Sequence, residues 1–306
     1  MALRVRLLAV IAVALAACLT AAALPARASS SPVRVGSSQV QTGCGLLRSV
    51  SVPVDWYAPA AEPLALVYLQ HGFLGSKRQM RDAALAFANA GYLVVVPTLS
   101  SVSVTCGINS EAFVRSLGSL VAGGALADSA RQALGEQAPL PPEPVILAGH
   151  SIGAAVVSLM AGEPALRPRV ALVIHLDAVE SIRGFIHTAL RQEAELDGPP
   201  QRILQLSAPP SSLNASNSGP AVVGTFRSEG TFAPGTDGAL VLTGSHCDPL
   251  GEFPFNVCGS SAENQRAFFD LAVAGADEAL GRTGRLDDIL SRLDSLVARV
   301  PRVASA

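Results

Sequence analysis

The sequence predicts an α/β protein: a mostly parallel central sheet with helices on both faces. Two observations predict it. Short apolar runs rich in Val, Ile and Leu alternate along the chain with stretches of helical spacing. Those runs show little polar alternation, so both faces of each strand must be covered, as in a parallel sheet wrapped by helices. Composition agrees. Of 306 residues, 49% are apolar and 15% charged, which excludes a disordered chain. The formal net charge is -2, so no basic excess asks for nucleic acid.

Taken in order, residues 1–28 read as an export signal. Arg4 and Arg6 give a basic start, 7–24 is apolar and uncharged, and Pro25 breaks the run. Ala26 and Ala28 form the small-x-small pattern that places cleavage after Ala28. "LAAC", ending at Cys18, has the look of a lipobox. Lipidation at Cys18 is therefore the alternative, and with it membrane association; a retained anchor is the third reading. Residues 29–306 read as one domain with its core at about 47–280. The Ser- and Gly-rich segment 29–43 reads as loose.

Strands are expected at 47–59, 64–70, 92–97, 144–149, 169–177, 202–207 and 238–245. Helices are expected at 78–91, ending at Gly91, and at 111–135, 153–162, 179–195, 263–281 and 285–300. Segment 208–237 is rich in Pro, Ser, Gly and Asn and lacks periodicity. A loop of that length in a compact domain is usually functional. Ligands of parallel sheets sit at the carboxyl ends of the strands. His71-Gly72, His150-Ser151 and His175-Leu176-Asp177 lie at strand ends, and His246 lies just after a fourth strand.

Gly149-His150-Ser151-Ile152-Gly153 is weak evidence as a bare pattern. Its setting strengthens it: a strand runs straight into it and a helix straight out. The chain must then turn sharply at Ser151, and Gly149 and Gly153 meet the steric demand of that turn. Ser151 becomes a candidate nucleophile at a helix start. A histidine can take its proton near neutral pH. His71 and His150 lie in turns, His175 in a strand and His187 in a helix, where packing roles are expected; His246, in the loop "TGSHCDP", is the candidate base. The base needs a carboxylate to hold its tautomer. The loop after 202–207 has no acid before Glu229, so Asp177 in "VIHLDAVE" is the candidate, with Glu229, Asp237 and Glu180 as alternatives. Asp177 could instead cap the helix at 179–195. For the oxyanion, the backbone amides of Phe73, in "LQHGFLG", and of Ile152 are the candidate donors.

Beyond Cys18 the chain has Cys44, Cys106, Cys247 and Cys258. An even number in an exported chain suggests two disulfides. The local pair Cys247–Cys258 is favoured, which leaves Cys44–Cys106; four free thiols are the alternative. No Cys-x-x-Cys is present, and no metal or organic cofactor is expected.

These motifs resemble the α/β-hydrolase superfamily: strand–Gly-His-Ser-Ile-Gly–helix, His71-Gly72-Phe73 upstream, then Asp177 and His246 in that order. Over roughly residues 47–280 the chain resembles the chlorophyllase-like and cutinase/polyester-hydrolase-like group of secreted esterases and lipases. Asp177 in "HLDAV" matches the chlorophyllase and pancreatic-lipase position. Polyester hydrolases carry the acid one strand later, where this chain has none. The resemblance implies a secreted monomer that cleaves a carboxylic ester, small, lipid or polymeric, through an acyl-serine intermediate. An acyltransferase using the same triad on a lipid or sugar hydroxyl is the alternative. A non-catalytic binding protein on the same scaffold is a third reading.

Overall fold

The computed structural model describes residues 32–45, 48–196, 200–228, 238–251, 259–282 and 285–300. Its elements, in chain order, are β1 (Arg34–Gly43), β2 (Ser49–Ala58), β3 (Leu66–Gln70), α1 (Arg81–Asn89), β4 (Leu93–Pro97), α2 (Glu111–Ala122), α3 (Ala125–Leu134), β5 (Val145–His150), α4 (Ile152–Ala161), β6 (Val170–Leu176), α5 (Phe185–Glu195), β7 (Ile203–Ser207), α6 (Ser218–Ser228), β8 (Gly238–Val241), α7 (Ala262–Ala279), α8 (Arg285–Arg292) and β9 (Val297–Val300). They build one nine-stranded sheet in the order β1-β2-β4-β3-β5-β6-β7-β8-β9. From β4 to β8 every neighbour is parallel; β1 and β2 at one edge and β9 at the other are antiparallel.

The apolar runs are continuous because each central strand feeds two cores. In β3, Leu66 and Tyr68 enter one cluster while Val67 and Leu69 enter the other. In β5, Val145 and Leu147 oppose Ile146 and Ala148 in the same way. Helices α2 to α6 pack on the first face, and α1, α7 and α8 on the second.

Four expectations are corrected. Segment 34–43 is not loose: it pairs along its whole length with β2. Its inward face is Ser38, Val40 and Thr42, so polar residues mask the alternation. The hydroxyls of Ser38 and Thr42 are satisfied by Ser129 and Ser116. The helical pattern at 285–300 stops at Arg292, and 297–300 instead pairs antiparallel with β8, covering what would be a free sheet edge. The sheet therefore extends from 34 to 300, beyond the expected core. Within 208–237, α6 forms despite Gly219, Pro220 and Gly224, because Pro220 sits in the first turn, where its missing N–H costs nothing. The fourth is the single helix expected at 111–135, which is two, broken at Gly123-Gly124.

The Cys44–Cys106 disulfide is present and ties the end of β1 to the loop after β4. It points to an oxidising environment. Cys247 is disulfide-bonded as well, and Cys258, its expected partner, lies outside the described residues. Residues 1–28 also lie outside them. Among the described residues no helix is long and apolar enough to cross a membrane.

Candidate active site

The sheet prepares the site by topology. The chain leaves β3 towards β4 and leaves β5 towards β6, in opposite directions across the sheet. Where neighbouring strands part this way, a crevice opens at their carboxyl ends. Gln70 pairs with Gly149, so His71-Gly72 and His150-Ser151 emerge side by side. On the other flank His150 pairs with Leu176, which sets Asp177 next to Ser151.

Ser151 has φ 57° and ψ -130°, a conformation that side chains rarely adopt. Close contact of backbones enforces it. A Cβ on Gly149 would meet the Gly153 carbonyl oxygen at 2.3 Å, and one on Gly153 would meet that of His71 at 2.5 Å. Both glycines are therefore sterically required. The Ser151 amide donates to Leu176 O, and its carbonyl accepts from Ala154 and Val179, so the backbone is fixed on both sides. Ser151 occupies the N-cap position of α4, yet its hydroxyl does not cap the helix. It lies 3.0 Å from His246 Nε2 instead.

His246 Nδ1 lies 2.6 Å from Asp177 Oδ2. Asp177 is 0% exposed, so its carboxylate is held by donors: His246 Nδ1–H, the Ala208 amide at 2.8 Å and the Asn214 side-chain amide. Because the carboxylate can only accept, Nδ1 carries the proton and Nε2 offers its lone pair to the Ser151 hydroxyl. The three residues thus form a continuous donor–acceptor chain. The loop carrying His246 is pinned from beneath. Asp248, fully buried, accepts from the amides of Ser245 and Ser261, the latter the N-cap of α7.

Asp177 does not cap α5. That helix starts at Phe185, and Glu180 accepts from the amides of Ser181, Ile186 and His187 at its entrance. Glu180 is thereby removed as an alternative acid. Glu229 and Asp237 lie outside the described residues. The Phe73 and Ile152 amides have no hydrogen-bond partner among the described residues. Gly72 brings the first of them close to Ser151, since a Cβ there would stand 2.8 Å from Ser151 Cβ.

The remaining histidines divide by surroundings. His175 is closed between Ser158 and Gln205, and burial pushes it down to about 4. His187 pairs with Arg191 on the surface of α5. His150 is packed, as expected, but its Nε2 donates to the His246 carbonyl at 2.8 Å and its ring lies 4.7 Å from the His246 ring. Burial holds it well below the ordinary histidine value, so it stays uncharged beside His246. This support and that of Asn214 were not readable in the sequence. Asn214 lies in a Ser/Asn-rich loop, where such residues ordinarily only shape turns.

Among the described residues no group of three His, Cys, Asp or Glu side chains is arranged to hold a metal ion. No protein-family model matches the chain, and no curated protein matches it.

Proposed function

We propose that the protein is a secreted serine hydrolase of α/β-hydrolase type that cleaves carboxylic esters. The observation that carries this reading is the chain Ser151 Oγ–His246 Nε2, 3.0 Å, and His246 Nδ1–Asp177 Oδ2, 2.6 Å, at a backbone turn that keeps the serine hydroxyl from capping its helix. The order Ser–Asp–His along the sequence, the elbow between β5 and α4, and a second loop after β3 all support the α/β-hydrolase assignment.

In the proposed reaction Ser151 Oγ attacks the ester carbonyl as its proton passes to His246 Nε2. Asp177 stabilises the imidazolium that forms and keeps the ring in register. Negative charge develops on the carbonyl oxygen, where the Phe73 and Ile152 amides receive it; losing one such donor typically costs ~10²–10³ in rate. Collapse expels the alcohol, which takes the proton from His246. Water then repeats the sequence against the acyl-serine, and the acid leaves.

Apolar side chains are exposed on the loops at this end of the sheet. Phe73 and Leu74 are 55% and 71% exposed beside the nucleophile, and Ile182 and Leu213 are exposed on the loops after β6 and β7. Segment 208–217 carries no charge. These features favour esters with apolar acyl groups. The test uses p-nitrophenyl esters of increasing acyl length. Ser151→Ala should lower kcat/KM by about 10⁴-fold or more with an unchanged circular dichroism spectrum. Wild-type rates in that variant would end the proposal.

A further inference from the structure

The side chain of His71 is not used by the reaction as written, yet it is fully buried at the mouth of the site. We propose that His71 is a positioning residue that aims the Phe73 amide at the developing oxyanion, and that it does so as the neutral ring protonated on Nδ1. The inference rests on the hydrolase reading above.

The Gly72–Phe73 peptide is one rigid plane. It is trans, the single cis bond among the described residues being Glu143–Pro144. In a trans peptide the carbonyl oxygen and the amide hydrogen point in opposite directions. Whatever holds Gly72 O therefore aims the Phe73 N–H. Gly72 O accepts from His71 Nδ1 at 2.6 Å and from the Gly75 amide at 3.1 Å. The other ring nitrogen, Nε2, accepts from the Leu99 amide at 2.9 Å. A carbonyl only accepts and an amide N–H only donates, so these partners admit one ring state: Nδ1 protonated, Nε2 bare, no net charge. Burial lowers the affinity of this ring for a second proton, in the same sense.

The neighbours leave the clamp little play. A Cβ on Gly75 would stand 2.9 Å from His71 Nδ1, so the ring lies flush against that glycine. Leu74, the residue after the donor, is held at φ 54° with its amide on Ser101 Oγ at 2.8 Å. Leu99 and Ser101 belong to the loop after β4, which the Cys44–Cys106 disulfide anchors. The donor loop is thus fixed by contacts that never touch substrate.

Three variants of the full chain separate aiming from mere packing. His71→Asn places an amide N–H near Nδ1 and can keep the bond to Gly72. His71→Gln reaches towards Leu99 with its amide oxygen and gives up the bond to Gly72. His71→Leu gives up both. With p-nitrophenyl butyrate, His71→Gln and His71→Leu should lose about 10–100-fold in kcat, a fraction of a lost oxyanion donor. KM should stay within about threefold, because the interaction is made in the transition state. His71→Asn should recover most of kcat. Wild-type kcat in His71→Gln, a loss confined to KM, or His71→Asn as impaired as His71→Gln would each overturn the proposal. Should His71→Leu fail to fold, the Asn and Gln variants decide alone. Imidazole ¹⁵N spectra of the wild type at pH 7 give a readout independent of turnover: a proton on Nδ1 is expected, and one on Nε2 overturns the clamp. Wild-type hydrolysis that does not depend on Ser151 overturns the function itself and the catalytic half of this inference, while the ring tautomer still judges the geometry.

Discussion

Asp177 and Asp277 are both 0% exposed, and they are buried in opposite ways. Asp277, near the end of α7, accepts from the Tyr92 hydroxyl at 2.8 Å and pairs with Arg282 at 3.1 Å and Arg285 at 2.9 Å. Tyr92 immediately precedes β4, so this cluster sits at the amino end of the parallel strands. Two permanent cations cancel its charge locally, and what remains is a staple. Asp177, at the carboxyl end, meets neutral donors from Ala208 and Asn214; among its hydrogen-bond partners only His246 can titrate. Its charge is left free to act on that imidazole. Burial alone does not tell the two carboxylates apart; the nature of their partners does.

Matched substitutions break the comparison most directly. Asp177→Asn should lower kcat by about 10⁴-fold, because the ring then loses both its tautomer and its counter-charge. Asp277→Asn should leave kcat within about twofold, since the sites share no partners. It should instead cost about 2 kcal/mol of stability by urea unfolding. That is less than a deeply buried pair would lose, because Arg282 and Arg285 are 40% and 55% exposed. A large activity loss in Asp277→Asn would erase the distinction.

The histidines sharpen the same contrast. His175 lies between Ser158 and Gln205 with no charged hydrogen-bond partner, and burial lowers it to about 4. The unfolded chain takes up a proton there near pH 6.5, while the folded chain does not until about 4. Between those values the unfolded state binds more protons, so stability falls as pH falls. The contribution is fully present above pH 6.5, and about 3 kcal/mol of it is lost by pH 4. His71 and His150, both lowered by burial, act in the same direction. Urea midpoints measured from pH 7 to pH 4 should show this decline. His175→Gln should flatten it by roughly one proton; an unchanged slope would mean that His175 is accessible in the folded state.

Much of this was legible because steric and periodic demands are local. A parallel strand buried on both faces writes an apolar run, and a tight elbow writes glycine at 149 and 153. Asp177 followed from the absence of an acid between 208 and 228. What was not legible depends on contacts distant in sequence. β1 hides because Ser129 and Ser116 satisfy its inward hydroxyls. β9 hides because its helical spacing yields to the free edge of β8. The bond from the Leu99 amide to His71 and that from His150 to the His246 carbonyl belong to the same class. So does Asn214, which comes from the very loop whose lack of acid pointed to Asp177.

Asn214 is therefore the neutral counterpart of the arginines on Asp277, and it is the most delicate test of the comparison. Its side-chain amide stands 3.3 Å from Asp177 Oδ2 and 2.9 Å from Pro209 O. Its Oδ1 accepts from the amides of Ser211 and Asn217. The residues that follow, Ala215, Ser216 and Asn217, all have positive φ, and Asn214 ties the two ends of this turn together. Asn214→Ala removes a long hydrogen bond to a carboxylate that keeps two better donors. The expected loss in kcat/KM is about tenfold, with no displacement of the pH profile. Asn214→Asp keeps an acceptor for Ser211 and Asn217 but sets a second carboxyl against Asp177. Like charges at that distance cannot both ionise readily, so the pair retains a proton to higher pH. The acidic limb of kcat/KM should then move upward, activity being lost at a pH where the wild type is still active. An unmoved limb in Asn214→Asp would show that the charge on Asp177 does not govern His246, and the contrast between the two buried aspartates would fail with it.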